Sequence, residues 1–183
     1  MPLHKYLETG ASTAGFEPAN ELMVLVPLAK FPDEFGGDNQ PWPRHITVLA
    51  PAKIPAEQQL TAIGVVAEVA HANLASVIQF GESEDFSGSD AQPVAVERAR
   101  LRLLHIDLLQ ALKNAGVDWP IGEWAGAFYN PHSSGQREID PALTIPVWTL
   151  MVIGKYALEQ GGSTKRVLDA SRMQWPESQA SRL

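Results

Sequence analysis

Apolar and polar residues follow two different periods along this chain, and the changes of period predict where strands and helices lie. An unbroken apolar run at residues 21–29 predicts a buried strand, and alternating β-branched residues at 44–50 predict a second strand. Apolar side chains recur at helical spacing through residues 56–73 and again through 101–115, where leucines form one stripe. These two stretches are predicted to be amphipathic helices.

Shorter β-like runs and turn-rich stretches complete the pattern. Further strands are predicted at residues 75–80, 93–98, around His132, 144–155 and 165–170. Loops or turns are predicted at residues 31–43, 51–55, 81–90, 117–126 and 133–142. Strands therefore dominate, and the two helices occupy comparable places in the two halves of the chain. This order predicts an α+β fold with antiparallel sheets, built as a loose duplication.

The length and composition are those of one globular domain. The chain has 183 residues, which is enough for a substantial core, and 45% hydrophobic with 19% charged residues excludes a disordered protein. Residues 1–20 are small and polar and are predicted to form a flexible N-terminal arm. Residues 21–175 are predicted to form a single bilobal domain, followed by a polar C-terminal tail at 176–183.

Composition also excludes several kinds of function. The chain has no cysteine, which excludes disulfides, cysteine-ligated zinc, iron–sulfur clusters and a thiol nucleophile. Its formal net charge of −7 favours a small or short substrate over a long nucleic-acid duplex. No apolar run approaches the roughly 18 residues of a membrane span, and no secretory signal opens the sequence. We therefore expect a cytoplasmic protein that does not act at membranes.

Two short segments, one in each half, carry the residues best suited to chemistry. His45 is followed by Thr47, and His132 is followed by Ser134, with a proline just upstream of each histidine. Residues i and i+2 of a strand point to the same face, so each histidine is expected to share a face with its hydroxyl residue. If the halves are related by a pseudo-twofold axis, two imidazoles and two hydroxyls face each other.

Such a group of side chains suits the cleavage of a phosphodiester. Histidine has an ordinary pKa near 6.5, so one imidazole can accept a proton from an attacking hydroxyl or water while the other donates one to the leaving oxygen. The hydroxyls can hydrogen-bond to the phosphate oxygens. Two neutral histidines can instead bind a metal, but no carboxylate or third histidine follows at obvious ligand spacing.

The repeated motif resembles that of the 2H phosphoesterase superfamily, which includes 2'-5' RNA ligase-like and cyclic phosphodiesterase-like proteins. The resemblance covers roughly residues 20–170, and HITV is one copy of the motif. The helix LRLLHIDLLQAL and the strand VWTLMVIGKY are also similar to the family's pattern. It implies two pseudo-symmetric lobes of antiparallel strands around a central groove, with helices packed outside. It also implies a metal-independent phosphodiesterase acting on 2',3'-cyclic phosphates, 2'-5' linkages or cyclic nucleotides.

The resemblance matches His45 and Thr47 to the first motif, and His132 and Ser134 to the second. His45 is expected to be the general acid and His132 the general base, while Thr47 and Ser134 hold the phosphate. The second copy departs from the family pattern, because Ser133 and Gly135 flank the hydroxyl residue Ser134 where the family normally has hydrophobic residues. This departure leaves open whether the strand ends early or Ser134 is placed differently.

Four residues that flank the motifs are predicted to contact the substrate. Trp42, Trp124 and Tyr129 are candidates for stacking on a nucleobase, and Arg44 is a candidate for neutralising phosphate. Tyr129 is the strongest stacking candidate, because it lies three residues before the second histidine. The alternatives are ordinary packing for the aromatic residues and a solvated surface charge for the arginine. His105, beside the leucine stripe, is predicted to be a packing residue.

The expected partner is a nucleotide, a cyclic nucleotide or a short RNA, bound by a monomer without a cofactor or metal. One branch similar to this family occurs in phages and degrades cyclic oligonucleotide signals of bacterial defence, and the sequence does not separate that branch from RNA-end repair. Two other classes stay open. One is a module that captures a nucleotide without cleaving it, and the other is an interaction domain with both histidines buried.

Overall fold

The computed structural model describes residues 16–35, 42–73, 75–86, 89–122, 125–134, 138–159 and 161–173. Its strands are β1 (Glu21–Pro27), β2 (Glu34–Phe35), β3 (His45–Ala52), β4 (Ser76–Phe80), β5 (Glu84–Phe86), β6 (Ser89–Val96), β7 (His132–Ser134), β8 (Ile145–Val147), β9 (Thr149–Ala157) and β10 (Ser163–Arg172). Its α-helices are α1 (Ala56–Ala72) and α2 (Arg98–Asn114), and a short 3-10 turn spans Gly126–Phe128.

The strands form two antiparallel sheets, one for each half of the fold. The first sheet has the order β2–β10–β9–β1–β3, and the second has the order β5–β6–β4–β8, with β7 paired to β6. All the strand pairings in the described ranges are antiparallel. The predicted α+β class is therefore confirmed, including the two lobes with similar content.

The main core lies between the sheets and the two helices. The leucine stripe of α2 is buried as its spacing predicted, with all four leucines at most 3% exposed: Leu101, Leu104, Leu108 and Leu112. Helix α1 buries Ile63 and Val66 against the same core, which also takes Leu22 and Val24 from β1. No helix in the described ranges is long and apolar enough to cross a membrane.

A smaller cluster covers the other face of the first sheet. It contains Met23 and Leu25 of β1 together with Phe31 and Ile153. Leu25 is the direct register partner of Thr47 on β3, and direct partners of an antiparallel pair project from the same face. We call this the inner face. It carries the first motif, while the helices pack on the opposite face.

The prediction of a single strand at 144–155 was wrong, because this segment forms two strands that lie in different sheets. Strand β8 pairs with β4 in the second sheet, and β9 pairs with β1 and β10 in the first. The chain changes sheet at Trp148, whose carbonyl accepts a hydrogen bond from the Met173 amide at 2.7 Å. Both strands are apolar and β-branched, so the sequence pattern continues across the change.

Two predicted loops contain short strands. Strand β2 lies within the predicted loop at 31–43 and pairs with Lys165 and Arg166 of β10. Strand β5 lies within the predicted turn at 81–90 and forms a hairpin with β6. Each is only two or three residues long, with a single phenylalanine after acidic residues, so neither shows an apolar alternation that would reveal a strand.

Residues 16–20, which were predicted to belong to a loose arm, are packed against the domain. Ala19 is buried, and its amide and carbonyl both bond to the side chain of Gln59 on α1, at 2.8 and 2.7 Å. The amide group of Gln59 also donates to the Ile54 carbonyl at 2.9 Å. This buried glutamine therefore attaches the segment before β1 to the first helix. Residues 1–15 and 174–183 lie outside the described ranges.

Candidate active site

The two motif histidines are held in the same way. His45 opens β3, and its Nδ1 lies 2.7 Å from the carbonyl of Pro43. His132 opens β7, and its Nδ1 lies 2.8 Å from the carbonyl of Asn130. A carbonyl only accepts hydrogen bonds, so in both rings Nδ1 carries the proton and donates it. Nε2 is therefore the nitrogen of each ring that can accept a proton from a substrate.

The fold brings the two motifs together from different sheets. Strands β3 and β7 contact each other, and an electrostatic interaction with His132 lowers the pKa of His45. Burial lowers the pKa of His45 below its usual 6.5, the hydrogen bond to Pro43 opposes this shift, and the charge of His132 lowers the pKa further. His45 is therefore held in its neutral form at neutral pH. No group of three His, Asp or Glu side chains in the described part of the chain is placed to hold a metal ion.

Two aromatic rings border His45. The Trp42 ring centroid lies 5.2 Å from that of His45 at an interplanar angle of 40°, and the Phe31 ring lies 6.2 Å away, edge to face. Trp42 is 40% exposed, so part of its indole stays open to a ligand beside the histidine. Trp42 was predicted from the sequence but Phe31 was not, because a phenylalanine at the start of a predicted loop gives no functional signal.

The structure describes the positions of the other predicted site residues to different extents. Thr47 is half-buried on the inner face with His45, as the i, i+2 spacing predicted. Ser134 is paired with Ala91 through its backbone, and its side chain lies outside what the structure describes. Trp124 lies outside the described residues. Arg44 is half-buried, and its carbonyl accepts a hydrogen bond from the Leu28 amide at 2.9 Å.

Tyr129 is not placed as a stacking surface, so this prediction needs correction. The side chain is only 7% exposed, and its ring stacks on His105 with centroids 4.2 Å apart. The hydroxyl donates to the carbonyl of Thr47 at 2.8 Å. Burial raises the pKa of Tyr129 well above its ordinary value, so the phenol stays protonated as a donor. The ring is therefore used to join the two motifs and is not presented to a nucleobase.

Three aromatic side chains of the second half donate to carbonyls of β3, which ends the order of the first sheet. Tyr129 bonds to Thr47, His105 Nδ1 bonds to Val48 at 2.7 Å, and the Trp119 indole bonds to Ala50 at 3.2 Å. These donors provide hydrogen-bond partners for backbone carbonyls of an edge strand, which could otherwise pair with a strand of another chain. His105 is a buried packing residue, as predicted.

Two arginines of α2 hold the segment that precedes His132. The guanidinium of Arg98 donates to the side-chain carbonyl of Asn130, and Arg102 Nε donates to the Tyr129 carbonyl at 2.9 Å. Asn130 is also the residue whose backbone carbonyl accepts from His132. The helix therefore orients the carbonyl that orients the second histidine. These arginines were not predicted as site residues, because they occur among other charged residues of an amphipathic helix.

The comparisons with known proteins give no match to a family model and none to a curated protein. Solved structures do match. A structure described as a phosphoesterase is 13% identical with a TM-score of 0.56, and it covers 86% of this chain and 99% of that one. LigT of E. coli with 3'-AMP is 14% identical with a TM-score of 0.56 over the same shares. TT0787 of Thermus thermophilus is 14% identical with a TM-score of 0.59, over 86% of this chain and 100% of that one.

Identities this low establish the architecture and leave the activity to be argued from the site. The likeness covers most of this chain and nearly all of each matched chain. The fold that the two motifs led us to expect is therefore confirmed, and it is the fold of E. coli LigT, of TT0787 and of the structure described as a phosphoesterase.

Proposed function

We propose that this protein is a phosphodiesterase of the 2H type that hydrolyses a nucleotide phosphodiester with two histidines and no metal. The observation that carries the proposal is the equivalent hydrogen bonding of the His45 and His132 rings. Each ring donates through Nδ1 to the carbonyl two residues before it. A structural histidine needs no such repetition, whereas an acid–base pair needs two rings with defined tautomers and accessible Nε2 atoms.

The roles follow from electrostatics. Because its pKa is lowered, His45 is neutral at neutral pH and is suited to be the general base, which reverses the assignment made from the sequence. Its Nε2 takes a proton from water while the water oxygen bonds to phosphorus. The bond from phosphorus to the leaving oxygen breaks, and the proton on Nε2 of His132 goes to that oxygen. His45 then releases its proton to solvent and His132 takes one up, which restores the starting state.

The remaining motif residues bind the phosphate. Thr47 shares the inner face with His45, so its hydroxyl is placed to donate to a non-bridging oxygen. Ser134 is proposed to act likewise from β7. The indole of Trp42 is proposed to stack on a base, and Arg44 to offset phosphate charge.

Nucleotides are the ligand class that the structural neighbours support. Solved structures of E. coli LigT, which share this fold, are described as complexes with 3'-AMP, NADP+ and ATP. We propose the same class for this chain, as nucleotides with a 2',3'-cyclic phosphate, a 2'-5' linkage or a cyclic phosphodiester.

Turnover in EDTA tests the proposal. The wild-type protein is incubated with 2',3'-cyclic nucleotides, 2'-5' oligoadenylates and cyclic di- and trinucleotides, beside His45→Ala and His132→Ala. His71→Ala, at an exposed histidine of α1, is the matched control. We expect multiple turnover of at least one class by the wild type and the control, and none by either motif variant.

Three other results have defined meanings. Tight stoichiometric binding without turnover supports a module that captures a nucleotide. Turnover confined to cyclic oligonucleotides supports an enzyme that degrades defence signals. Turnover that disappears in EDTA and returns with a divalent metal contradicts the two-histidine mechanism.

A further inference from the structure

Two lysines face each other on the inner face of the first sheet. Lys155 of β9 and Lys165 of β10 are direct register partners. Like charges directly opposite each other destabilise a sheet. Glu21, the partner of Lys155 on β1, forms an ion pair with it at 3.0 Å. Among the described side chains, Glu21 is the only carboxylate paired with either lysine, so one positive charge is in excess among them, in a chain whose net charge is −7.

A cavity of about 230 Å³ is lined by both lysines and by Trp42. Its apolar wall comes from Met23 and Ile153 of the inner-face cluster. The remaining lining residues are Glu21, Leu22, Pro51 and Ser163. Charge, an apolar wall and an aromatic ring together suit a phosphate with a sugar or base attached.

The cavity lies next to the proposed catalytic centre. Lys165 Nζ is 4.9 Å from the centroid of the Trp42 ring, and that ring is 5.2 Å from the ring of His45. Trp42 therefore borders both the cavity and the ring of His45. A ligand that reaches the cavity from His45 passes along one indole.

We propose that the cavity is a second phosphate subsite, which binds a phosphate other than the one that is cleaved. The inference rests on the proposed function of His45 and His132, and it narrows the substrate to a di- or oligonucleotide instead of a nucleoside cyclic monophosphate. Sites for whole small molecules have volumes of about 300–1,000 Å³, so a cavity of about 230 Å³ fits one part of a larger ligand. Lys165 contacts the phosphate, and Trp42 stacks on the base between the two phosphates.

Calorimetric titration at low salt tests the subsite without depending on turnover. The ligands are adenosine 3'-monophosphate and the adenylyl-adenosine 3'-monophosphates with 3'-5' and 2'-5' linkages. All carry a terminal phosphate for the histidines, but only the dinucleotides carry a second one. We expect the better dinucleotide to bind at least about tenfold more tightly than the mononucleotide, as a charge-assisted contact to phosphate implies.

Variants identify the group responsible. Lys165→Gln is expected to abolish the advantage of the dinucleotide, and Lys165→Arg to restore most of it. Lys113→Gln, at an exposed lysine of α2, is the matched control and is expected to keep it. Equal affinity of the wild type for both ligands, or an advantage that survives in Lys165→Gln, overturns the subsite.

Turnover of the corresponding 2',3'-cyclic phosphates separates the two proposals. Lysine-dependent binding without turnover of any substrate contradicts the phosphodiesterase function and keeps the subsite. Turnover of mono- and dinucleotides with equal kcat/KM, unchanged in ratio by Lys165→Gln, contradicts the subsite and keeps the function. Circular dichroism of each variant confirms that it is folded.

Discussion

The hydroxyl of Tyr129 donates a 2.8 Å hydrogen bond to the backbone carbonyl of Thr47. This bond connects the segment just before the second histidine to the middle of the first motif. Its donor ring stacks on His105, which itself bonds to the next carbonyl of β3. The relative position of the two motifs is therefore set by side chains that need not touch the substrate.

Replacement of Tyr129 by phenylalanine tests this connection. The ring and its stacking are kept, but the carbonyl of Thr47 loses its partner, so the free energy of unfolding is expected to fall by about 1–3 kcal/mol. Urea denaturation measures the loss, and kcat is expected to fall with it. Tyr156→Phe removes a weaker 3.2 Å bond to the Glu17 carbonyl and is the control with normal kcat. Full stability and activity of Tyr129→Phe contradict the account.

The pKa of His45 is expected to depend on His132. Burial and the charge of His132 both lower it from 6.5, so removal of that charge in His132→Gln should move the pKa of His45 upwards. Titration of the imidazole signals by NMR measures the change, with His105 as an internal reference. Because His45 acts as the base only in its neutral form, kcat/KM of the wild type should rise with pH through a midpoint below 6.5. An unchanged or lower pKa of His45 in His132→Gln contradicts an electrostatic interaction between the two histidines.

His105 is expected to make stability depend on pH. Its Nδ1 donates to the Val48 carbonyl and its Nε2 accepts from the Gly126 amide, so the folded protein needs the neutral ring, and burial lowers its pKa. A lowered folded-state pKa means that this stabilisation is complete above about 6.5 and is lost as the pH falls below it. The loss between pH 8 and pH 5.5 in urea denaturation should be smaller in His105→Gln. An equal loss in both proteins contradicts this role.

Arg98 is expected to act as a positioning residue. Arg98→Lys weakens its hold on Asn130, whose carbonyl fixes His132, so kcat should fall about 10- to 100-fold while KM changes little. The Nδ1 proton of His132 should also exchange faster with water in NMR spectra. Arg100→Lys, which alters only an exposed pair with Glu97 on the same helix, is the control. A normal kcat and a normal exchange rate in Arg98→Lys contradict the role.

The parts of the fold that sequence predicts best are those fixed by local periodicity. The leucine stripe of α2 and the apolar run of β1 each reveal their buried face within one segment. The shared face of His45 and Thr47 follows from strand geometry in the same way. These features depend on neighbours two to four residues apart, which a single sequence displays.

The features that were missed depend on distant partners. The change of sheet at Trp148 is set by pairing of β8 with β4 and of β9 with β1, and neither partner is visible in the local pattern. Tyr129 was predicted to stack on a base because it is close to His132 in sequence, but its position is set by His105. The subsite lysines, Lys155 and Lys165, become neighbours only through strand register.

The most direct test of the central claim is the steady-state rate of His45→Ala, His132→Ala and the double variant in EDTA, on the best substrate of the panel. Loss of a general acid or base is expected to reduce kcat by about 10²–10⁴-fold in each single variant. Because both groups serve one step, the double variant should be little worse than the poorer single variant. A single variant that is folded, binds the substrate and retains the wild-type rate would contradict two-histidine catalysis by this protein.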